Sequence, residues 1–189
     1  VEEEGEQEAI KRSIEAFWRD GGCTLSSAAT SLTYRALWPA SAPASASVIL
    51  QLVGSTGSVI RTEAVNRTAT SQINVTGLPS GVFEVRGELF SSPNGTGASL
   101  GRFRRIVDLC SAPSAILESS NSDPTASPIS GAKAPSRLTV FPGEVSMKSN
   151  QTIRFVAQLL DSSSRPVFAT SNPTWTASGP ANITSGGLM

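Results

Sequence analysis

From about residue 30 onward the chain alternates apolar and polar positions. The clearest run sets Phe83, Val85, Gly87 and Leu89 against Glu84, Arg86 and Glu88, the two-residue period of a strand with one buried and one wet face. Ile73 and Val75 alternate in the same way with Gln72, Asn74 and Thr76, and the glycines and proline of Gly77-Leu78-Pro79-Ser80-Gly81 supply the turn between the two runs. Upstream, Leu32, Tyr34, Ala36 and Trp38 share one face of a strand over 31–38. Residues 47–53 and 58–65 flank Gly54-Ser55-Thr56-Gly57 as a hairpin. Asn94-Gly95-Thr96-Gly97 makes another turn, ahead of a last strand over 100–109. Short strands at this spacing predict an all-β chain, with a sandwich of roughly a hundred residues over 22–111.

Three stretches break the alternation. In the N-terminal segment, 1–21, Ile10, Ile14, Phe17 and Trp18 recur at helical spacing, with Lys11, Arg12, Glu15 and Arg19 on other faces. This predicts a short amphipathic helix ended by Gly21 and Gly22. Its apolar stripe is free to pack on the sandwich, to close a preceding domain or to dock on a neighbouring subunit. Residues 39–47 are proline and small residues and read as an exposed loop. Residues 112–136 hold Pro113, Pro124, Pro128 and Pro135 among serines, with Ile116 and Leu117 as the large apolar residues, and read as a Ser/Pro-rich linker. Alternation resumes in a second domain, 137–189.

The charge balance is even, with 15 basic and 15 acidic residues, and seven of the acids lie within the first twenty positions. No concentrated basic surface points to nucleic acid. The longest apolar run, Val48-Ile49-Leu50, is far too short to span a membrane, and the opening Val1-Glu2-Glu3-Glu4 has no signal-peptide character; either a signal has been removed or the chain is an interior piece.

Cys23 and Cys110 bracket the sandwich. They read either as a disulfide, which would close a loop of roughly ninety residues worth about 4–5 kcal/mol, or as two buried thiols. The asparagines favour the disulfide. Five of the seven begin an acceptor sequon, Asn66, Asn74, Asn94, Asn150 and Asn182, where chance in a chain roughly a quarter serine and threonine would give about two. An excess of N-glycosylation sites points to an oxidising secretory route. A threonine-rich bacterial sandwich is the other reading.

Within 137–189, four features form a connected pattern: Leu138-Thr139-Val140-Phe141-Pro142, the apolar alternation of 152–159 closing on Ala157 and Leu159, Trp175 after Pro173, and Ile183 four residues before Gly187. This pattern resembles the bacterial Ig-like repeat of invasin and intimin type (group 2). Asn150 stands where that family usually has a glycine before its second strand. The resemblance implies an Ig-like sandwich that is incomplete in these residues, its remaining strands coming from chain beyond Met189 or from another subunit. Leu138, Val140, Ile153, Phe155, Ala157, Leu159 and Trp175 would then line its inner faces. The earlier domain is similar to Ig or fibronectin-III sandwiches, so the fold expected is tandem Ig-like β-sandwiches behind an N-terminal helix.

Catalytic constellations are not legible. The chain has no histidine, so serine or cysteine nucleophiles lack their usual base. Glu84 and Glu88 are the one regular carboxylate pair, and they read as solvated strand charges rather than glycosidase acids. Asp161-Ser162-Ser163-Ser164 reads as a hairpin turn, not a calcium loop. Trp38, Tyr34 and Trp18 could form a sugar-stacking platform, but tryptophans at such positions, Trp175 included, read as core anchors.

The expected function is therefore structural or adhesive. The chain would be an extracellular module of a larger surface or filament glycoprotein, with no enzymatic activity, cofactor or metal. Its partners would be other subunits or further domains of the same chain, together with N-linked glycans. The resemblance, with Ala42-Pro43, Ser127-Pro128 and Ala134-Pro135 in the style of plant and algal glycan acceptors, implies an algal cell-surface or flagellar-filament (mastigoneme-like) setting. The alternative is a carbohydrate-binding module attached to a secreted enzyme.

Overall fold

A computed structural model of the chain describes residues 8, 12, 14–16, 18, 23, 30–36, 46–68, 72–119, 135–169, 171–179 and 181–189. Among the described residues nine strands follow in order: β1 (Thr30–Arg35), β2 (Ser47–Val53), β3 (Val59–Asn66), β4 (Gln72–Leu78), β5 (Val82–Ser92), β6 (Thr96–Asp108), β7 (Ser114–Glu118), β8 (Arg137–Phe141) and β9 (Val156–Leu160), with one 3-10 turn at Pro93–Gly95. One sheet has the order β4-β1-β7, a second β3-β2-β5-β6, and β8 and β9 form a two-stranded third.

The first two sheets face each other as a sandwich, and the alternation in the sequence sets which side chains meet. Leu32 and Tyr34 of β1, Val75 and Leu78 of β4 and Leu117 of β7 pack against Val48, Leu50 and Leu52 of β2, Phe83, Val85 and Leu89 of β5, and Phe103 and Val107 of β6. Each large apolar side chain removed from water in this way contributes roughly 1.5–3 kcal/mol. Gly87 belongs to the buried face for a steric reason. It sits opposite Phe103 on β6, and a Cβ there would lie 2.0 Å from the Phe103 ring. The vacancy lets Phe103 stack on Tyr34, ring centres 5.9 Å apart. Burial holds the pKa of the Tyr34 hydroxyl above its ordinary value.

The stretch read as linker begins inside the fold. β7, Ser114–Glu118, pairs in parallel with β1, burying Leu117 and leaving Ile116 exposed. A strand of five residues is too short for periodicity to stand out, and an edge strand needs only one bonded side. Residues 120–134 of that stretch, Trp38 and most of the 39–47 loop lie outside the described residues. So do Ile10, Phe17, Gly21 and Gly22 of the N-terminal segment; Glu8, Arg12, Ile14, Glu15, Ala16 and Trp18 are described, with helical backbone.

Residues 137–189 are bonded to the sandwich. β8 and β9 pair antiparallel, Val167 N donates to Leu159 O at 2.9 Å, and Arg102 and Ala169 exchange backbone bonds of 2.7 and 2.6 Å. Hydrogen bonds thus run from β8 through β9 and 166–169 to the outer edge of β6. Phe168 enters the sandwich core, its ring edge-on to Phe103 at 5.1 Å. The strand expected over 152–159 is divided: Ile153 and Phe155 bond to Met189 and Gly187, while β9 starts at Val156. The expected strand through Trp175 is irregular backbone. Trp175 is only half-buried, 6.4 Å from Phe155 by ring centres.

Of the residues expected to line the inner faces of the second domain, only some are buried. Ile153 and Ala157 are buried, whereas Leu138 and Val140 are 64% and 43% exposed. Alternation marked which residues share a face of β8 and β9; it did not say which face docks. Phe141 and Val156, on the opposite face, pack with Trp18, Val82, Cys110 and Ile153 in a second core.

Candidate functional site

The outer face of the second sheet meets Trp18 and residues 137–189. Across β2, β5 and β6 the register sets Val53, Glu84 and Ile106 in one row, Gln51, Arg86 and Arg104 in the next, and Ile49, Glu88 and Arg102 in the third. Alternation alone assigns these positions to solvent, and for Glu84 that reading is corrected: its side chain is fully buried. Three guanidiniums surround it. Arg154 Nη1 lies 2.5 Å from Glu84 Oε2, Arg86 Nη2 lies 3.0 Å from the same oxygen, and Arg104 Nη1 lies 3.6 Å from Oε1. The charge is tolerated because it is paired; removing one partner of a buried pair typically costs about 3–5 kcal/mol.

Arg154 also fastens three parts of the chain together. Its Nη2 donates to Gly54 O at 2.8 Å and its Nε to Ser55 O at 3.3 Å, capping the β2–β3 hairpin. The Trp18 ring lies over its guanidinium at 4.9 Å, and the indole N–H donates to Arg154 O at 2.8 Å. A cation against a tryptophan face adds about 1–2 kcal/mol when desolvated. Nearby, Gln158 Oε1 accepts from Ile106 N at 2.8 Å, so a side chain serves as a strand partner at the β6 edge.

Beside this clamp the same face opens into a cleft of about 260 Å³ lined by Ile49, Gln51, Arg86, Glu88, Arg102 and Arg104, with Asn172 from the C-terminal region at its side. Burial raises the pKa of Glu88, but hydrogen bonds from Ser99 and Arg102 outweigh it and leave the carboxyl below its ordinary value. For Arg104, burial lowers the pKa, Glu84 opposes that, and the neighbouring Arg86, Arg154 and Arg102 lower it further. Arg86 Nε is buried with no hydrogen-bond partner among the described residues.

The residues singled out from the sequence lie elsewhere. Cys23 and Cys110 form a disulfide with Cα atoms 5.7 Å apart, beside Trp18 in the second core rather than between the two sheets. All five sequon asparagines, Asn66, Asn74, Asn94, Asn150 and Asn182, are exposed. Asn66 and Asn94 bond to each other, Asn66 Nδ2 to Asn94 Oδ1 and Asn94 N to Asn66 Oδ1, both at 2.7 Å, and Thr33 donates to Asn74 Oδ1 at 2.8 Å. Asn150 has φ 67°, left-handed backbone that glycine adopts freely and asparagine tolerates better than most residues. Asp161 Oδ1 accepts from Ser163 N and Arg165 N, the geometry of a hairpin turn.

No protein-family model matches the chain, and no characterised protein matches its sequence.

Among the described residues no group of three histidine, cysteine, aspartate or glutamate side chains could hold a metal ion, and no helix is long and apolar enough to cross a membrane. Glu84 and Glu88 face the same side of β5, as their spacing required, but Arg86 lies between them and each is held by arginines. The functional residue that sequence reasoning missed is Arg154. It sits in an apolar run with no signal beyond a lone cation among Ile153, Phe155 and Val156.

Proposed function

We propose that this chain is a structural and adhesive extracellular module of a larger surface or filament glycoprotein, without catalytic activity. The observation that carries the reading is the clamp on the outer face of the second sheet. A buried carboxylate, three arginines, Trp18 and Phe168 tie residues 137–189 to the sandwich, so that force or orientation passes from one region to the other without a flexible joint. Five exposed sequons and a disulfide in the second core fit a secreted or cell-surface location.

In this reading residues 30–118 form an Ig-like sandwich. The grouping of β1 with β4 and of β2, β3, β5 and β6 follows the way such folds divide their strands between sheets, with β7 lying beside β1. The region 137–189 is part of a second, invasin-type module, approached by a short amphipathic helix from the N-terminal side, and its partners are other subunits or further domains. An algal surface or flagellar-filament setting belongs to the same proposal.

Stretching the chain between its two ends in a single-molecule force experiment tests the clamp. The expected record is one cooperative rupture for the sandwich and the C-terminal region together; two separated events at different forces would overturn the spacer reading. Enzymatic deglycosylation of native protein in heavy water should convert occupied sequon asparagines to labelled aspartates, and no label at any of the five would remove the glycoprotein part.

A further inference from the structure

The cleft beside the clamp has an electrostatic imbalance that packing alone does not explain. Arg86 and Arg104 stand directly opposite each other on β5 and β6, an arrangement of like charges that destabilises a sheet unless something neutralises it. Glu84 is shared between them and Arg154, one carboxylate against three guanidiniums. Arg102 is matched by Glu88 at 2.8 Å and does not offset the surplus. Arg86 and Arg104 both line the cleft with partly exposed side chains, and Arg86 Nε is buried beneath it without a partner among the described residues, so the surplus positive charge faces the opening.

We propose that this cleft is a binding site for the oxyanion of an acidic saccharide, with Arg86 and Arg104 receiving a carboxylate or sulfate and Gln51 and Asn172 bonding neighbouring hydroxyls. The volume of about 260 Å³ lies below that of pockets enclosing drug-sized ligands and suits one charged sugar unit of a longer chain passing over the sheet. Ile49 gives the ring a surface for its C–H face. Guanidiniums match such oxyanions with paired donors. An acidic peptide fits less well. Recognition of extended peptides draws on open main-chain groups at a sheet edge, and β2 and β5 here are bonded to strands on both sides. The proposal stands apart from the spacer reading: a rigid module whose cleft binds nothing remains a spacer.

Isothermal titration of the full chain with four probes at equal concentration tests it: a hexuronate trisaccharide, a sulfated trisaccharide, its neutral counterpart, and an aspartate-rich peptide, with inorganic sulfate as a fifth arm. The expected result is binding of one or both charged saccharides that weakens as salt is raised, with none for the neutral sugar. Whichever charged saccharide binds more tightly identifies the oxyanion. Arg86→Gln should weaken it about tenfold, the loss of one charge-assisted bond. Because Arg86 also touches Glu84, Asn172→Ala serves as a second variant away from that carboxylate and should weaken binding about threefold at unchanged melting temperature. In the unaltered chain, bound saccharide should also protect Arg86 from phenylglyoxal, read by peptide mass. Equal binding of neutral and charged sugars, tighter binding of the peptide, inorganic sulfate matching the saccharides, or no protection of Arg86 would each overturn the proposal.

Discussion

Residues 30–118 and residues 137–189 are both built of short alternating strands, yet they use alternation differently. In the first region the period of two sorts side chains as it should: Leu32, Tyr34, Val48, Leu50, Val85 and Leu89 all turn into one shared core. In the second region the same period yields two apolar faces. Phe141 and Val156 pack with Trp18, Val82 and Cys110, while Leu138 and Val140 remain exposed. The difference teaches that a strand's pattern specifies a face and leaves the face's partner open. It also bears on the sandwich itself, because docking of the second region turns the polar side of β5 into an interior at Glu84.

The sharpest way to break the comparison is to remove the ties that hold the chain in this arrangement. Replacing Cys23 and Cys110 together by serine removes the constraint on a loop of 87 residues and is expected to lower unfolding free energy by about 4–5 kcal/mol, read by urea denaturation. Phe168→Ala should cost about 3–5 kcal/mol, although Phe168 lies far along the chain from the strands it packs against. A loss under about 1 kcal/mol would mean that the sandwich closes its core without the C-terminal region. Arg154→Met should cost about 3 kcal/mol, at the lower end for a broken buried pair because Arg86 and Arg104 still face Glu84; a double-mutant cycle with Glu84→Gln should show strong coupling between the two sites.

Smaller effects sharpen the contrast between faces. Gly87→Ala should destabilise by about 1–3 kcal/mol through overpacking against Phe103, while Leu138→Ser, on the uncovered face of β8, should stay within about 0.5 kcal/mol. The smallest effect is pH-dependent. Glu88 has a folded-state pKa below its ordinary value, so its ionisation favours the fold above the ordinary carboxylate range near about 4.3. That contribution disappears as pH falls through the lowered value. Solvent screening at this exposed site keeps it under about 0.5 kcal/mol, and Glu88→Gln should flatten the acid limb of the stability profile by that amount.

Much of the sandwich was legible because its cues are local. Gly54 to Gly57 and the glycines around Pro79 placed the hairpins near their observed positions, and β5 was recognisable from seven residues. β7 was not, since Ser114–Glu118 offers little periodicity and its partner β1 lies some eighty positions away. Alternation with Val65, Ile73 and Val75 turns Asn66 and Asn74 outward, and the Pro93-Asn94-Gly95 turn does the same for Asn94, whereas Asn150 and Asn182 carry no such local cue. The clamp could not be read at all. Nothing in Glu84, Arg86 and Glu88 distinguishes a solvated row from one covered by Arg154 and Trp18.

The sequence by itself determined the all-β character, the hairpins and the inward residues of most sandwich strands, because dihedral preference and two-residue periodicity act over a few neighbours. Only the tertiary structure decided that Glu84 is buried, that Phe168 completes a core begun more than a hundred residues earlier, and that three arginines converge beside an open cleft. Those outcomes depend on which faces meet, and desolvation and charge pairing settle that between residues the chain holds far apart.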